Sequence, residues 1–298
     1  MLSFHGLLVV DKPSGPTSLD VVNRAQKWFP RKTKLGHTGT LDPLASGVLV
    51  LCVGMATRLT EYVQQMEKGY VAELLMGARS TTDDALGKIT AVADPFVPSP
   101  AVLRQTLAQF VGDIEQVPPI FSAAKISGDR AYDLARRGEE VELQPRTVRI
   151  YEIQILDYSF PALRLEIRCG KGTYIRSLAR DLGDRLGCGA LVQTLRRTRI
   201  GAFEEKVALS LDCEKSVAQA ALLPPNKAVA ELPSLNLSAE TCKRLRQGQA
   251  VSILASPSFT AESKHPEVAV FDPAGTLVAV ARLDHKKALL NPIKVLVQ

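Results

Sequence analysis

Asp42 is the first residue whose setting suggests chemistry. It lies in Gly36-His-Thr-Gly-Thr-Leu-Asp-Pro-Leu-Ala-Ser-Gly47, a glycine- and threonine-rich segment that leads into the continuous apolar run from Val48 to Val53. Pro43 biases Asp42 toward an extended backbone, and Leu41 and Leu44 flank it with apolar side chains. A carboxylate on a constrained loop beside a buried strand can serve as a nucleophile or base. An aspartate before proline is commonly a turn former, and spacing alone favours that plainer reading. The adjacent acids Asp83 and Asp84 could suggest a glycosidase pair, but neighbours on an extended chain point to opposite faces. Gly170-Lys171 is followed by Gly172, where a phosphate-cradling loop would need Ser or Thr.

Several elements must position these residues. Leu7 to Val10 reads as a short strand, turned by Lys12-Pro-Ser-Gly-Pro16 into a helix capped by Thr17 or Ser18 and stopped by Pro30. Val48 to Val53 has the length of a buried strand. Further strands are predicted at Tyr70 to Met76, Lys88 to Val92, Val148 to Tyr158 and Leu163 to Cys169. Ser99-Pro100 opens a helix through Phe110. Thr173 to Leu186 forms another, with Ile175, Leu178, Ala179, Leu182 and Leu186 on one face and Arg176 within its first turns. Strands and helices in this irregular order favour an α+β fold around a mixed, mainly antiparallel sheet flanked by helices. Leu223 to Ser234, with three prolines, reads as a linker, which divides the chain into 1–230 and 231–298. The second part predicts a helix from Ser238 to Gln247. Short strands follow at Val251 to Leu254, Val268 to Phe271, Leu277 to Leu283 and Ile293 to Val297, the make-up of a small β-barrel.

Composition narrows the classes. The 298 residues are 46% hydrophobic and 23% charged, as in ordinary globular proteins. The five cysteines are scattered and odd in number, which indicates neither a disulfide framework nor a zinc site. No apolar run approaches a membrane span, and a cytoplasmic location is expected. A net charge of +6 permits a polyanionic partner. Bases gather at Arg24, Lys27, Arg31, Lys32 and Lys34, and again at Arg196, Arg197 and Arg199, though such runs are often merely solvated faces.

The segment from Lys34 to Leu49 resembles the catalytic motif of the bacterial tRNA pseudouridine-55 synthases, the TruB family. Other blocks occur in that family's order: Gly6-Leu-Leu-Val-Val-Asp-Lys-Pro-Ser-Gly15, Lys68-Gly-Tyr70, Gly112 to Pro119 with Phe121-Ser-Ala-Ala-Lys125, Lys171-Gly-Thr-Tyr-Ile-Arg176, and Leu186 to Ala190 with Leu195-Arg-Arg197. The resemblance covers roughly residues 5 to 210 and implies the pseudouridine synthase fold. By the resemblance, Asp42 is the catalytic aspartate and Arg176 the arginine that pairs with it and keeps it ionised. Tyr70 would stack on the target base and take the C5 proton, and Tyr174 and Leu195 would line the uracil pocket. His37 would help to extrude the target nucleotide. Asp84 matches a substrate-binding acid, whereas Thr81 stands where the family usually has another. The C-terminal residues resemble a PUA-type RNA-binding barrel, in which Lys243, Arg244 and Arg246 could meet phosphates.

The implied reaction breaks the bond from C1′ to N1, turns the uracil and rejoins it through C5, with no redox change, so no cofactor and no metal is expected. The implied substrate is the T-stem-loop of tRNA, modified at position 55 by a monomer that needs no guide RNA, obligatory protein partner or membrane. Two other readings share the scaffold. A catalytically silent tRNA-binding or RNA-chaperone protein would lack the aspartate or the arginine. The guide-RNA-dependent branch shares the catalytic motifs, but the length and the insert around residues 120 to 145 resemble the stand-alone branch.

Overall fold

The fold was taken from a computed structural model, which describes residues 4–122, 125–126, 129–130, 143–252 and 266–296. The motif ending at Lys125, most of the 120–145 insert and the ends of the strands expected at 251–254 and 293–297 lie outside the described residues or side chains.

Strong local signals set the helices. Thr17 caps the Ser18–Ala25 helix, and Asp20 answers it in a reciprocal capping box. Ser99 caps the Pro100–Ala108 helix, with proline in the first turn. The Ile175–Leu186 helix ends at Gly187 in the left-handed conformation, with φ of 72°. This helix buries Ile175, Leu178, Leu182 and Leu186 against Leu74, Ile150 and Val192 of the sheet. Each such side chain contributes about 1.5–3 kcal/mol when fully buried. Gly183 lets the helix approach closely, since a Cβ there would lie 2.1 Å from the backbone nitrogen of Ala190.

The main sheet is mixed and mainly antiparallel, as expected. Its order runs Leu209–Ser210, Gly6–Lys12, Ser46–Val53, Ala190–Ile200, Lys68–Met76, Ala162–Cys169, Arg146–Ser159 and Gly112–Gln116. The central strand, Ala190–Ile200, runs parallel to Ser46–Val53 and antiparallel to Lys68–Met76. It therefore joins the strand that follows the Asp42 loop to the strand that carries Tyr70.

The C-terminal residues form an open five-stranded sheet in the order Ser234–Asn236, Glu267–Phe271, Leu277–Asp284, Leu289–Val295 and Val251–Ser252. Its own core includes Leu245, Val268, Val278 and Leu290. Through Ala269, Leu277, Val280 and Leu296 it also shares a cluster with Leu7, Ala56, Leu59 and Phe203 of the larger part. The segment expected to be a linker is not loose. Leu7 and Leu223 exchange backbone hydrogen bonds at 2.8 Å, and Ala228 and Val229 are buried. Three prolines masked this in the sequence: proline breaks periodicity whether a segment is solvated or packed.

Candidate active site

The Asp42 loop has almost no regular secondary structure, yet its carbonyls are all engaged. Arg197 donates from Nη2 to the carbonyl of Gly39 at 3.3 Å and from Nη1 to that of Thr40 at 3.5 Å. Ser18 Oγ donates to the Leu41 carbonyl at 3.1 Å and accepts from the Leu41 N–H at 2.8 Å. The Ala45 N–H donates to the Asp42 carbonyl, and the Gly15 N–H to that of Pro43. Ser14 Oγ donates to the Leu44 carbonyl at 2.9 Å, and Lys12 Nζ to that of Ala45 at 2.6 Å. Each carbonyl from 39 to 45 thus has a donor, which is how a buried irregular segment avoids the cost of unpaired polar groups. The result is a rigid platform for one carboxylate.

That carboxylate meets Arg176. The Arg176 Nε lies 2.9 Å from Asp42 Oδ2, with Arg176 5% and Asp42 33% exposed in their side chains. The Nε–H has no aligned hydrogen-bond acceptor, so the contact is an ion pair held by charge rather than by direction. The guanidinium is fixed from behind: Nη1 donates to the Thr82 carbonyl at 3.1 Å and Nη2 to the Phe121 carbonyl at 2.9 Å. Asp84 Oδ2 stands 3.5 Å from Nη1. Burial pushes the Asp42 carboxyl above its ordinary value, Arg176 pulls it down, and the Asp84 charge pushes it up again. The net direction is upward. Arg176 thus works for the ionised form, as expected of it, against desolvation and a second carboxylate that no single motif reveals.

A cleft of about 420 Å³ opens above this pair. Among its lining residues are Asp42, Tyr70, Tyr174, Arg176 and Leu195, together with Gln64, Lys68, Lys171 and Arg197. Asp42 is the one acid among them. Tyr70, 8% exposed, has its phenol pushed up by burial, with the charge of Arg197 opposing the rise. The backbone of Tyr174 is clamped by the buried Gln116, which accepts from its N–H at 2.8 Å and donates to its carbonyl at 3.1 Å. Lys68 is buried and donates to the carbonyls of Gln64 and Met66, and burial lowers its ammonium to about 8.

Two predicted residues do not line the cleft. His37 ends the Leu35–His37 strand, half-buried and paired across the ladder with Leu51. Asp84, expected to bind substrate, is 4% exposed and accepts hydrogen bonds from Thr82 Oγ1 at 2.6 Å and the Leu86 N–H at 3.0 Å. It reaches the site through Arg176, not through the cleft. Asp83 faces a different partner, Arg180 Nη1 at 3.0 Å, as the case against a carboxylate pair required. Its φ of 60° shows, however, that a turn rather than an extended chain separates the two.

The basic cluster at 196–199 is committed to partners within the protein, with Arg197 its one buried member. Arg196 pairs with Asp11 at 3.1 Å and Glu205 at 2.8 Å, Arg199 pairs with Glu67, and Arg197 is 2% exposed. By contrast, Lys27, Arg31, Lys32 and Lys34 are exposed. Sequence reasoning missed Ser18, Lys12 and Gln116 as supports of the site, and no local signal marks such long-range side-chain to backbone bonds. Among the described residues no group of acids, histidines and cysteines could hold a metal, and no helix is long and apolar enough to cross a membrane.

Comparison with known proteins agrees with this architecture. Residues 27–175 match the TruB family pseudouridylate synthase N-terminal domain, and residues 176–228 the tRNA pseudouridylate synthase B C-terminal domain. The chain is 39% identical over 300 residues to tRNA pseudouridine synthase B of Syntrophomonas wolfei subsp. wolfei, covering 98% of each. It is 41% identical over 296 residues to the protein of the same name from Ruegeria pomeroyi, covering 97% of this chain and 95% of that relative. A chain in the crystal structure of a Cbf5-Nop10-Gar1 complex superposes with a TM-score of 0.74 at 28% identity, over 97% of this chain and 84% of that one. With family matches running continuously from residue 27 to 228 and relatives alike along nearly their whole length, the chain belongs to the TruB family of pseudouridylate synthases.

Proposed function

We propose that this enzyme converts the uridine at position 55, in the T-arm of tRNA, to pseudouridine, with Asp42 as the catalytic carboxylate. One observation carries the assignment: among the described residues the single acid lining the cleft is ion-paired to a buried arginine and shares the cleft with a buried phenol. In the reaction the C1′–N1 bond breaks, the uracil leaves as an anion that stays bound, and C5 then bonds to C1′. Asp42 either adds to C1′ as the base departs or removes the 2′ proton to leave a glycal; both routes need the ionised acid. Arg176 supplies the opposing charge beside the carboxylate. Tyr70 offers its ring for stacking on the base, and once the new bond has formed its oxygen accepts the C5 proton as its own hydroxyl proton passes toward N1 of the uracil, so the phenol ends neutral. Tyr174 and Leu195 complete the walls of the uracil pocket, and His37 helps to extrude the nucleotide.

The two-part division at residue 230 is part of the proposal: the larger part carries the chemistry, and the C-terminal sheet, with Lys243, Arg244 and Arg246 on its helix, lies against tRNA phosphates. The family relatives named above are tRNA enzymes, and their full-length likeness favours action on tRNA without a guide RNA or protein partner, although the Cbf5 chain superposes well. The retained Asp42 and Arg176 speak against the silent RNA-binding reading. The test is to incubate the pure protein, without added RNA or protein, with an unmodified T-arm stem-loop and to map pseudouridine chemically. Product at the T-loop uridine supports the proposal, and tight binding without product would favour the silent reading.

A further inference from the structure

We infer that Arg197 is a positioning residue of the reaction, setting the Asp42 loop and the Tyr70 ring relative to each other from beneath the cleft. The inference rests on the assignment of Asp42 as catalytic carboxylate. Arg197 lies in the central strand and is among the largest fully buried side chains in the protein. Its neighbours across the sheet are Tyr70 on one side and Gly47 on the other. Residues directly opposite in an antiparallel pair project to the same face, so Arg197 and Tyr70 share the face that carries the cleft. A bulge between Arg197 and Arg199 re-aims this end of the strand.

Arg197 donates to the Asp42 loop and to the strand that follows it. Nε donates to the Val48 carbonyl at 2.7 Å, and the two terminal nitrogens reach Gly39 and Thr40, just ahead of Asp42. At Gly47, with φ of 99°, a Cβ would lie 2.2 Å from the Arg197 carbonyl, so the loop seats directly on this residue. A buried cation is a weak source of stability, and an apolar side chain of similar size fills a sheet core as well. What an apolar chain cannot do is fork to carbonyls in two chain segments while placing a charge beside the phenol. That charge opposes the rise that burial imposes on Tyr70. The planar fork also distinguishes arginine from lysine here, since an ammonium is a point charge on a flexible stem.

The test compares Arg197→Met and Arg197→Lys with Asp42→Asn, using full-length protein and tRNA transcript. Misplacing a catalytic group by about 1 Å costs on the order of 100-fold, so Arg197→Met should lose about that much kcat while KM stays within about threefold. Arg197→Lys keeps the charge and should recover part of the loss. In hydrogen exchange, the amides of residues 38–46 should lose protection in Arg197→Lys, with the Ile175–Leu186 helix unchanged. Wild-type kcat in Arg197→Lys and Arg197→Met, a loss confined to KM, or failure of both to fold would overturn the inference. Full activity in Asp42→Asn would instead overturn the assignment beneath it.

Discussion

Replacing Arg176 with methionine tests the charge balance at the centre of the site. The substitution removes the cation 2.9 Å from Asp42 and 3.5 Å from Asp84, and the donors to the carbonyls of Thr82 and Phe121. Breaking a buried ion pair by deleting one partner costs about 3–5 kcal/mol, because the other charge is left uncompensated. Asp42 is 33% exposed and regains water, whereas the Asp84 side chain is 5% exposed and does not, so the lower half of that range applies. At an m-value of about 3 kcal/mol/M, the urea midpoint should fall by about 1 M at pH 7.5. The loss should depend on pH with a definite sign. The folded carboxyl of Asp42 already lies above its ordinary value, and without the cation it rises further. A carboxyl whose folded value exceeds its unfolded value penalises folding above the folded value, and the penalty fades as pH falls through it. The deficit relative to wild type should therefore shrink as pH falls through the raised folded value. A deficit below about 1 kcal/mol at pH 7.5, or one that grows on acidification, would contradict the charge balance drawn here.

Ser18→Ala removes both hydrogen bonds to Leu41, whose N–H and carbonyl are left buried without a donor or acceptor, and should cost about 1–3 kcal/mol with kcat falling more than KM. Steady-state kinetics beside urea unfolding check this, and a loss confined to KM would count against the loop acting as a platform. Tyr70→Phe keeps the ring but not the oxygen, so tRNA binding should survive while release of C5 tritium from labelled tRNA stops; normal tritium release would remove Tyr70 from the proton step. Lys12, fully buried, donates to the carbonyls of Pro13, Pro43 and Ala45, and burial lowers its ammonium to about 8, a drop tempered by the charge of Asp42. Between that value and the ordinary 10.5 the unfolded chain binds more protons than the folded one, so this group's contribution to stability rises with pH. Compared with Lys12→Met, the wild type should gain stability from pH 8 to 10, and a flat difference in urea unfolding would refute this.

Helix caps were legible because each is a short-range pattern: Thr17 with Asp20, and Ser99 before Pro100, sit where the sequence places them. The long central strand Ala190–Ile200 was not. It holds Gln193, Thr194 and three arginines, and bulges at Val192/Thr194 and Arg197/Arg199 break the alternation by which strands are recognised. The edge strand Gly112–Gln116 was missed because its alternating apolar signal is only one residue deep, at Ile114. The core of the site followed from ordered motifs, since Asp42, Tyr70, Tyr174, Arg176 and Leu195 converge on one cleft. What those motifs could not supply is depth. They do not show that Asp84 lies behind Arg176, that Arg197 is internal, or that burial outweighs the arginine at Asp42, because all three depend on contacts between distant segments.

The central claim is that one carboxylate carries the reaction. Its most direct test is single-turnover conversion of unmodified tRNA by Asp42→Asn, an isosteric change that keeps the loop hydrogen bonds and removes only the charge. The account predicts normal tRNA binding and no pseudouridine at position 55. Product formed at the wild-type rate would contradict it.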